Sequence, residues 1–222
     1  METQTVVISA EASRAWKSEA GKSEAGRIVN YASEARIINQ GDACDRVMFI
    51  AEGRVRLSIE TTTGRGAIVG TVGAGAFLGE EAVAGRSTML ETATAMTDCR
   101  MRVFSREEFT RLLQDDERWS RKFTAHLIYR RMRLEADLAD QLTNPAELRL
   151  ARRLCLLARE CSQDDTDQRV PPGISQSLLA DMVGTTRPRV NHFLARFKKM
   201  GFIQYDQGIR VDKSLRKLLV RA

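Results

Sequence analysis

Ile174-Ser175-Gln176-Ser177-Leu178-Leu179-Ala180-Asp181-Met182-Val183-Gly184-Thr185-Thr186-Arg187-Pro188-Arg189-Val190-Asn191-His192-Phe193-Leu194-Ala195-Arg196-Phe197-Lys198-Lys199-Met200 reads as two short helices joined by a tight turn. Ser175 is a good N-cap for a helix over Gln176 to Met182, whose Leu178, Leu179 and Met182 can face a core. Gly184 supplies the turn, and Thr186 caps a second helix from Arg187 to Met200. Val190, Phe193, Leu194 and Phe197 recur there at i, i+3, i+4 and i+7, the spacing of one buried face. Pro188 falls in the first turn, where a missing N–H costs little. The pattern is that of a helix-turn-helix.

The exposed side of the second helix is rich in groups that read nucleic acid. A recognition helix presents its N-terminal residues to base edges in the major groove. Arg187 can fork onto guanine O6 and N7, Asn191 suits an adenine edge, and His192 can serve either a base or a phosphate. Arg189, Gln176 and the Thr186 hydroxyl are placed for phosphates, which fix position without reading sequence. Beyond Gly201, Phe202-Ile203-Gln204-Tyr205 and Ile209-Arg210-Val211 flank Asp206-Gln207-Gly208, a hairpin that forms a wing.

Charge supports duplex DNA as the partner. The 222 residues carry a net charge of +6. Residues 1–144 hold 20 basic and 21 acidic side chains, whereas residues 145–222 hold 15 and 8, so the basic excess lies wholly in the last third. This is the footprint of a nucleic-acid module attached to a near-neutral partner. No run of 18 apolar residues occurs, and Met1 to Ile8 lacks the order of a secretory signal, which places the chain in the cytoplasm. Cys44, Cys99, Cys155 and Cys161 show no CxxC spacing and only two histidines accompany them, so no metal site is expected and the thiols read as small hydrophobes.

Upstream the periodicity changes. In Arg54-Val55-Arg56-Leu57-Ser58-Ile59-Glu60 apolar and polar residues alternate, and Cys99-Arg100-Met101-Arg102-Val103 repeats the device. With a hairpin loop at Thr61 to Gly66 and glycines at 41, 53, 70, 73, 75 and 79, the stretch from Ala35 to Ser105 predicts an antiparallel roll. The first 34 residues, with Lys17-Ser18-Glu19-Ala20-Gly21 duplicated at Lys22 to Gly26, read as a helical or partly ordered lead-in. Trp119 to Leu142 contains neither Gly nor Pro and predicts one helix of roughly 36 Å. Phe123, Leu127, Leu134, Leu138 and Leu142 mark one apolar stripe and Ala125, Ile128, Met132 and Ala139 another, so one seam can meet the roll and the other a second subunit. Asn144-Pro145 ends that helix, and Ala146 to Cys161 resumes one. The fold class is therefore α+β: a sensor roll over 1–118, a dimerisation helix over 119–144 and a winged helix-turn-helix over 145–222.

Roll, long helix and winged helix-turn-helix in this order resemble the cyclic AMP receptor protein and fumarate-nitrate reduction regulator (Crp/Fnr) family of bacterial transcription factors. Phe77-Leu78-Gly79-Glu80-Glu81 with Thr92-Ala93-Thr94-Ala95, Arg149-Leu150-Ala151-Arg152-Arg153-Leu154, and Ile174 to Val190 carry the resemblance. It implies a homodimer on a two-fold symmetric operator, in contact with RNA polymerase, with Arg187 as the leading base-reading arginine. Where the family commonly has glutamate next, this chain has Pro188.

The resemblance also implies an effector pocket in the roll, where a Gly-Glu pair and a following Arg-Ser or Arg-Thr pair hold a cyclic nucleotide. Gly79 and Glu80 match the first pair. Counted back from Ala93 and Ala95, the phosphate arginine falls at Met89, followed by Leu90, and Arg86-Ser87 stands three residues early. The positions of the adenine-contacting hydroxyls hold Leu134 and Glu135. A strict cyclic AMP requirement is therefore not expected, and no cofactor is, unless Arg86 reaches inward. The alternative function is a cyclic-nucleotide-binding module centred on Gly79, Glu80, Arg86 and Ser87. Nothing in the chain suggests an enzyme, since no Ser/His/Asp grouping, metal cluster or phosphate loop occurs.

Overall fold

The computed structural model describes residues 26–61, 66–161, 168–171, 173–205 and 208–220. Residues 1–25 of the lead-in, the tip of the Thr61 to Gly66 hairpin, residues 162–167 and 172, and the Asp206-Gln207 turn lie outside the described residues. The described end of the lead-in is a strand, Arg27–Tyr31, and not the helical or partly ordered segment expected, because it pairs with a distant strand of the roll.

The roll is built from two four-stranded antiparallel sheets. One has the order β1 (Arg27–Tyr31), β8 (Cys99–Ser105), β3 (Arg46–Glu52), β6 (Phe77–Leu78), and the other β2 (Arg36–Ile38), β7 (Thr92–Ala95), β4 (Arg54–Glu60), β5 (Gly66–Gly73). Alternation is visible where it was expected: Val55 and Leu57 of β4 and Cys99, Met101 and Val103 of β8 are buried. The enclosed core is aromatic, with Phe49, Phe77, Phe104 and Phe109 all buried. Ser105 then starts α1 (Arg106–Asp115) with a capping box, its hydroxyl accepting from the Glu108 N–H while Glu108 accepts from the Ser105 N–H.

Helix α2 runs from Glu117 to Thr143, one unbroken element as its composition requires. Trp119, Phe123 and His126 are buried, and their rings stack edge-on against Phe77. Phe123 therefore belongs to the roll core and not to a dimer seam, which corrects its assignment to the stripe of Leu127, Leu134 and Leu138. Those three leucines remain on the outside, as do Ile128, Met132 and Leu142. A stripe at helical spacing records that a face wants burial; it does not say against what.

The chain divides into two units, the first ending at Leu134 and the second beginning at Glu135. In the second, the last turns of α2 pack with α3 (Ala146–Cys161), and Arg153 meets Asp137 at 3.2 Å. Leu150, Ala151, Leu154, Leu157 and Ala158 of α3 are fully buried and form the floor for α4 (Gln176–Val183) and α5 (Arg187–Lys199). The wing pairs β9 (Ile203–Tyr205) with β10 (Ile209–Val211), and Arg169 bridges to Arg210 on the free edge of β10. Helix α6 (Arg216–Val220) closes the unit. No helix of the described residues is long and apolar enough to cross a membrane.

Candidate nucleic-acid interface and effector pocket

The turn between α4 and α5 is held from three sides. The Ser175 hydroxyl accepts from the Leu178 N–H at 3.1 Å, fixing the start of α4. Gly184 at φ 67° ends it in the left-handed conformation, which a side chain would strain, and the Thr185 N–H returns to the Ala180 carbonyl. Arg149 of α3 donates to the Val183 carbonyl at 3.0 Å and to the Asn144 carbonyl at 2.9 Å, so one guanidinium satisfies the ends of two helices.

Helix α5 buries Val190, Leu194 and Phe197. Thr186 has the extended backbone of an N-cap, but its hydroxyl makes no capping bond and is exposed. Arg187, Arg189, Asn191 and His192 are exposed as well, and Gln176 is half-buried. Arg187 and Asn191, four residues apart, share one flank of the helix. Arg189 lies over the Phe193 ring at 5.8 Å, with the His192 ring 6.0 Å from it. Phe193, expected in the core, is only half-buried and serves as the platform beneath these two groups.

The roll pocket differs from the nucleotide site that the resemblance suggests. Gly79, at φ 71°, passes the chain under the Arg46 carbonyl, where a Cβ would come to 2.6 Å. Glu80 follows at the start of a 3-10 turn, Glu80–Ala82, and its carboxylate is ion-paired to Arg130 of α2. The same guanidinium meets both oxygens of Glu91 at 2.8 Å. His126, one helical turn before Arg130, brings its Nε2 to 4.0 Å from Glu80. Glu80 Oε2 and His126 Nε2 are both buried without a hydrogen-bond partner. Burial pushes the Glu80 carboxyl up to about 7 despite the opposing pull of Arg130. Burial, reinforced by Arg130, pushes His126 down to about 4.

Arg86 and Ser87 are exposed, so the one local rescue for a phosphate does not point inward. Their carbonyls instead accept from the Arg106 side chain and the Cys44 N–H. Met89 is 2% exposed, with its Cε 3.2 Å from where a Gly79 Cβ would stand. Leu134 and Glu135 face outward. Sequence reasoning missed Arg130 and Glu91 altogether, although Arg130 sits four residues after His126 and seven after Phe123, on the face that meets the roll. Cys44, Cys99 and Cys155 are buried and unbridged, and burial pushes the first two thiols up, away from the reactive thiolate. Among the described residues no group of three His, Cys, Asp or Glu side chains could hold a metal.

Comparison with known proteins gives each part a match. A cyclic nucleotide-binding domain model matches residues 28–116, and a Crp-like helix-turn-helix domain model matches residues 148–217. The CRP-like cAMP-activated global transcriptional regulator of Mycobacterium tuberculosis (strain ATCC 25618 / H37Rv) is 25% identical over 179 residues, 80% of each chain. Among solved structures, FixK2 from Bradyrhizobium japonicum superposes with a TM-score of 0.75 at 18% identity, covering 88% of this chain and 96% of that one. The c-di-GMP responsive regulator CLP of Xanthomonas campestris gives 0.72 at 20% identity, covering 84% and 93%.

Proposed function

Because the chain belongs to the Crp/Fnr family of transcription regulators and carries its helix-turn-helix DNA-binding domain, we propose that it works as a homodimer on a two-fold symmetric operator, without requiring a cyclic nucleotide. In this reading residues 1–118 form the sensor, 119–144 the dimer seam and 145–222 the DNA module. Arg187, Asn191 and His192 read bases, while Gln176, Thr186 and Arg189 hold phosphates. RNA polymerase is the further partner that the family suggests, and the cytoplasm is the compartment in which such a protein meets both.

The observation that carries the DNA assignment is the exposed set Arg187, Asn191 and His192 on a helix whose opposite face is fully buried. Salt should weaken binding steeply, with log K falling linearly in log salt concentration. Arg187→Ala should cost about 1–3 kcal/mol on the operator and relax the preference at one base pair, whereas Arg189→Ala should weaken operator and random DNA alike. Titrations of both variants on both DNAs separate the roles. Equal losses for Arg187→Ala on the two DNAs would refute base reading.

Independence from nucleotide rests on Arg130. In the resembling site a glutamate accepts from the ribose and an arginine forks onto the phosphate; here the glutamate is already engaged by a guanidinium of the same chain, and position 89 offers a buried thioether. A phosphate buried against Met89 would forfeit a charge-assisted bond and remain a desolvated anion. Calorimetry with cyclic AMP and cyclic GMP should give no binding at micromolar concentration, and neither should alter operator affinity. Binding that tightens DNA affinity tenfold would restore the cyclic-nucleotide reading.

A further inference from the structure

Among the buried side-chain atoms that lack a hydrogen-bond partner, Glu80 Oε2 of the roll and His126 Nε2 of α2 belong to neighbouring side chains. His126 Nε2 stands 4.0 Å from Glu80 Oε1, the oxygen that Arg130 holds, too long for a hydrogen bond. With the imidazole proton on Nδ1, the carboxylate and Nε2 are two acceptors, and two facing acceptors repel.

The charges around them do not balance either. Glu80 and Glu81 come from the 3-10 turn, Glu91 from the residue before β7, and His126 and Arg130 from α2. Glu81 turns away and accepts from the Leu90 N–H at its rim. Among the described residues that leaves two enclosed carboxylates on a single guanidinium, whose side-chain exposures are 13%, 10% and 22%. A surplus buried negative charge is costly unless it is neutralised. One proton would cancel the surplus and turn one of the two acceptors into a donor.

We propose that Glu80 and His126 form a proton-binding site inside the roll, in which Glu80 takes up one proton, donates it in a hydrogen bond to His126, and releases its charge pair with Arg130. Glu91 then keeps Arg130 through its bidentate contact. One O–H bond forms on Glu80 as one breaks in a hydronium ion, and release of the proton to water reverses the step. The elevated carboxyl and depressed imidazole described above run in the direction this site requires: the proton resides on the acid, and the imidazole stays neutral. Because His126 and Arg130 lie on α2, proton uptake changes what that helix holds onto in the roll. The reading makes protons an effector of the DNA-binding regulator proposed above, and it rests on that proposal only for its last step.

Difference infrared spectroscopy of the full chain between pH 8 and pH 5.5 tests the site without DNA. A carboxylic-acid carbonyl band should grow in with a midpoint near neutrality, disappear in Glu80→Gln, and move to lower pH in His126→Phe, where its acceptor is gone. A wild-type spectrum without such a band, or a Glu80→Gln spectrum that retains it, overturns the site whatever the DNA results. The wild-type titration stands alone if either variant folds poorly. The second arm measures affinity for a genomic fragment recovered with the protein itself. Wild-type affinity should change at least threefold between pH 8 and pH 6, and Glu80→Gln should be flat. A pH-invariant wild-type affinity beside a normal infrared titration overturns the coupling to DNA, and a failure to bind any fragment counts against the DNA reading alone.

Discussion

A charge placed at Leu134 or Leu138 should yield monomers that no longer bind the operator. Both side chains are on the outside of α2, 46% and 60% exposed, in a run of apolar residues that continues through Leu127, Ile128, Met132 and Leu142. An exposed apolar seam of this length on a single helix needs a partner. In the homodimer proposed above a second copy would meet that need isologously, each helix presenting the same residues to the other. Leu138→Glu would bring like charges together across the two-fold axis as well as removing apolar contact. The expected loss of operator affinity is large, about a thousandfold or more, because two half-sites one helical turn apart are held by two recognition helices or not at all. Sedimentation gives the oligomeric state and operator titration gives the affinity. A Leu138→Glu protein that sediments as a tight dimer would move the interface elsewhere on the chain.

The other large effect is expected at Arg130. Replacing it by Met keeps much of the volume and leaves Glu80 and Glu91 buried without their cation, a change that costs about 3–5 kcal/mol in comparable buried pairs. The cost should depend on pH in a definite direction. Glu80 in the folded protein holds its proton up to about 7, above its ordinary value of 4.5, so between those limits the native state binds more protons than the unfolded state and stability falls as pH rises. His126 has the opposite sign: its value falls from 6.5 to about 4, so stability rises with pH across that range. In the wild type the two slopes oppose one another from about pH 4.5 to 6.5, leaving a net decline only from there to about 7. Without Arg130 the force that lowers Glu80 is lost and its carboxyl rises further. Arg130→Met should therefore be most destabilised at pH 8 and recover toward pH 6. Denaturation followed by Trp119 fluorescence, in a Trp16→Phe background, measures it. Equal destabilisation at both pH values would show that Arg130 acts through packing and not through charge.

The difference between what could be read from sequence and what could not follows the range of the interactions. The helix-turn-helix was legible because its determinants are local: the Ser175 cap, the Gly184 turn and Pro188 each act within one turn of their own position. Strands β4 and β8 were legible from alternation. Strand β1 was not, because its partner β8 is some 70 residues away and only one face is partly covered. The capping box of α1, Ser105 with Glu108, was there to be read. The pairing of Arg130 with Glu80 and Glu91 leaves no periodic trace at all, since ion pairs 50 and 39 residues apart in sequence are set by the packing of α2 on the roll. The same packing decides that Phe123 turns inward while Leu127 does not.

Met89, packed beneath Gly79, sets what position 89 can hold. An arginine placed at position 89 would enter an apolar layer beneath a glycine that has no room to give, while Arg130 still occupied Glu80. Freeing Glu80 first would strand two carboxylates. Either step alone lowers stability, so Gly79, Glu80, Met89 and Arg130 are interlocked and tolerate exchange only together.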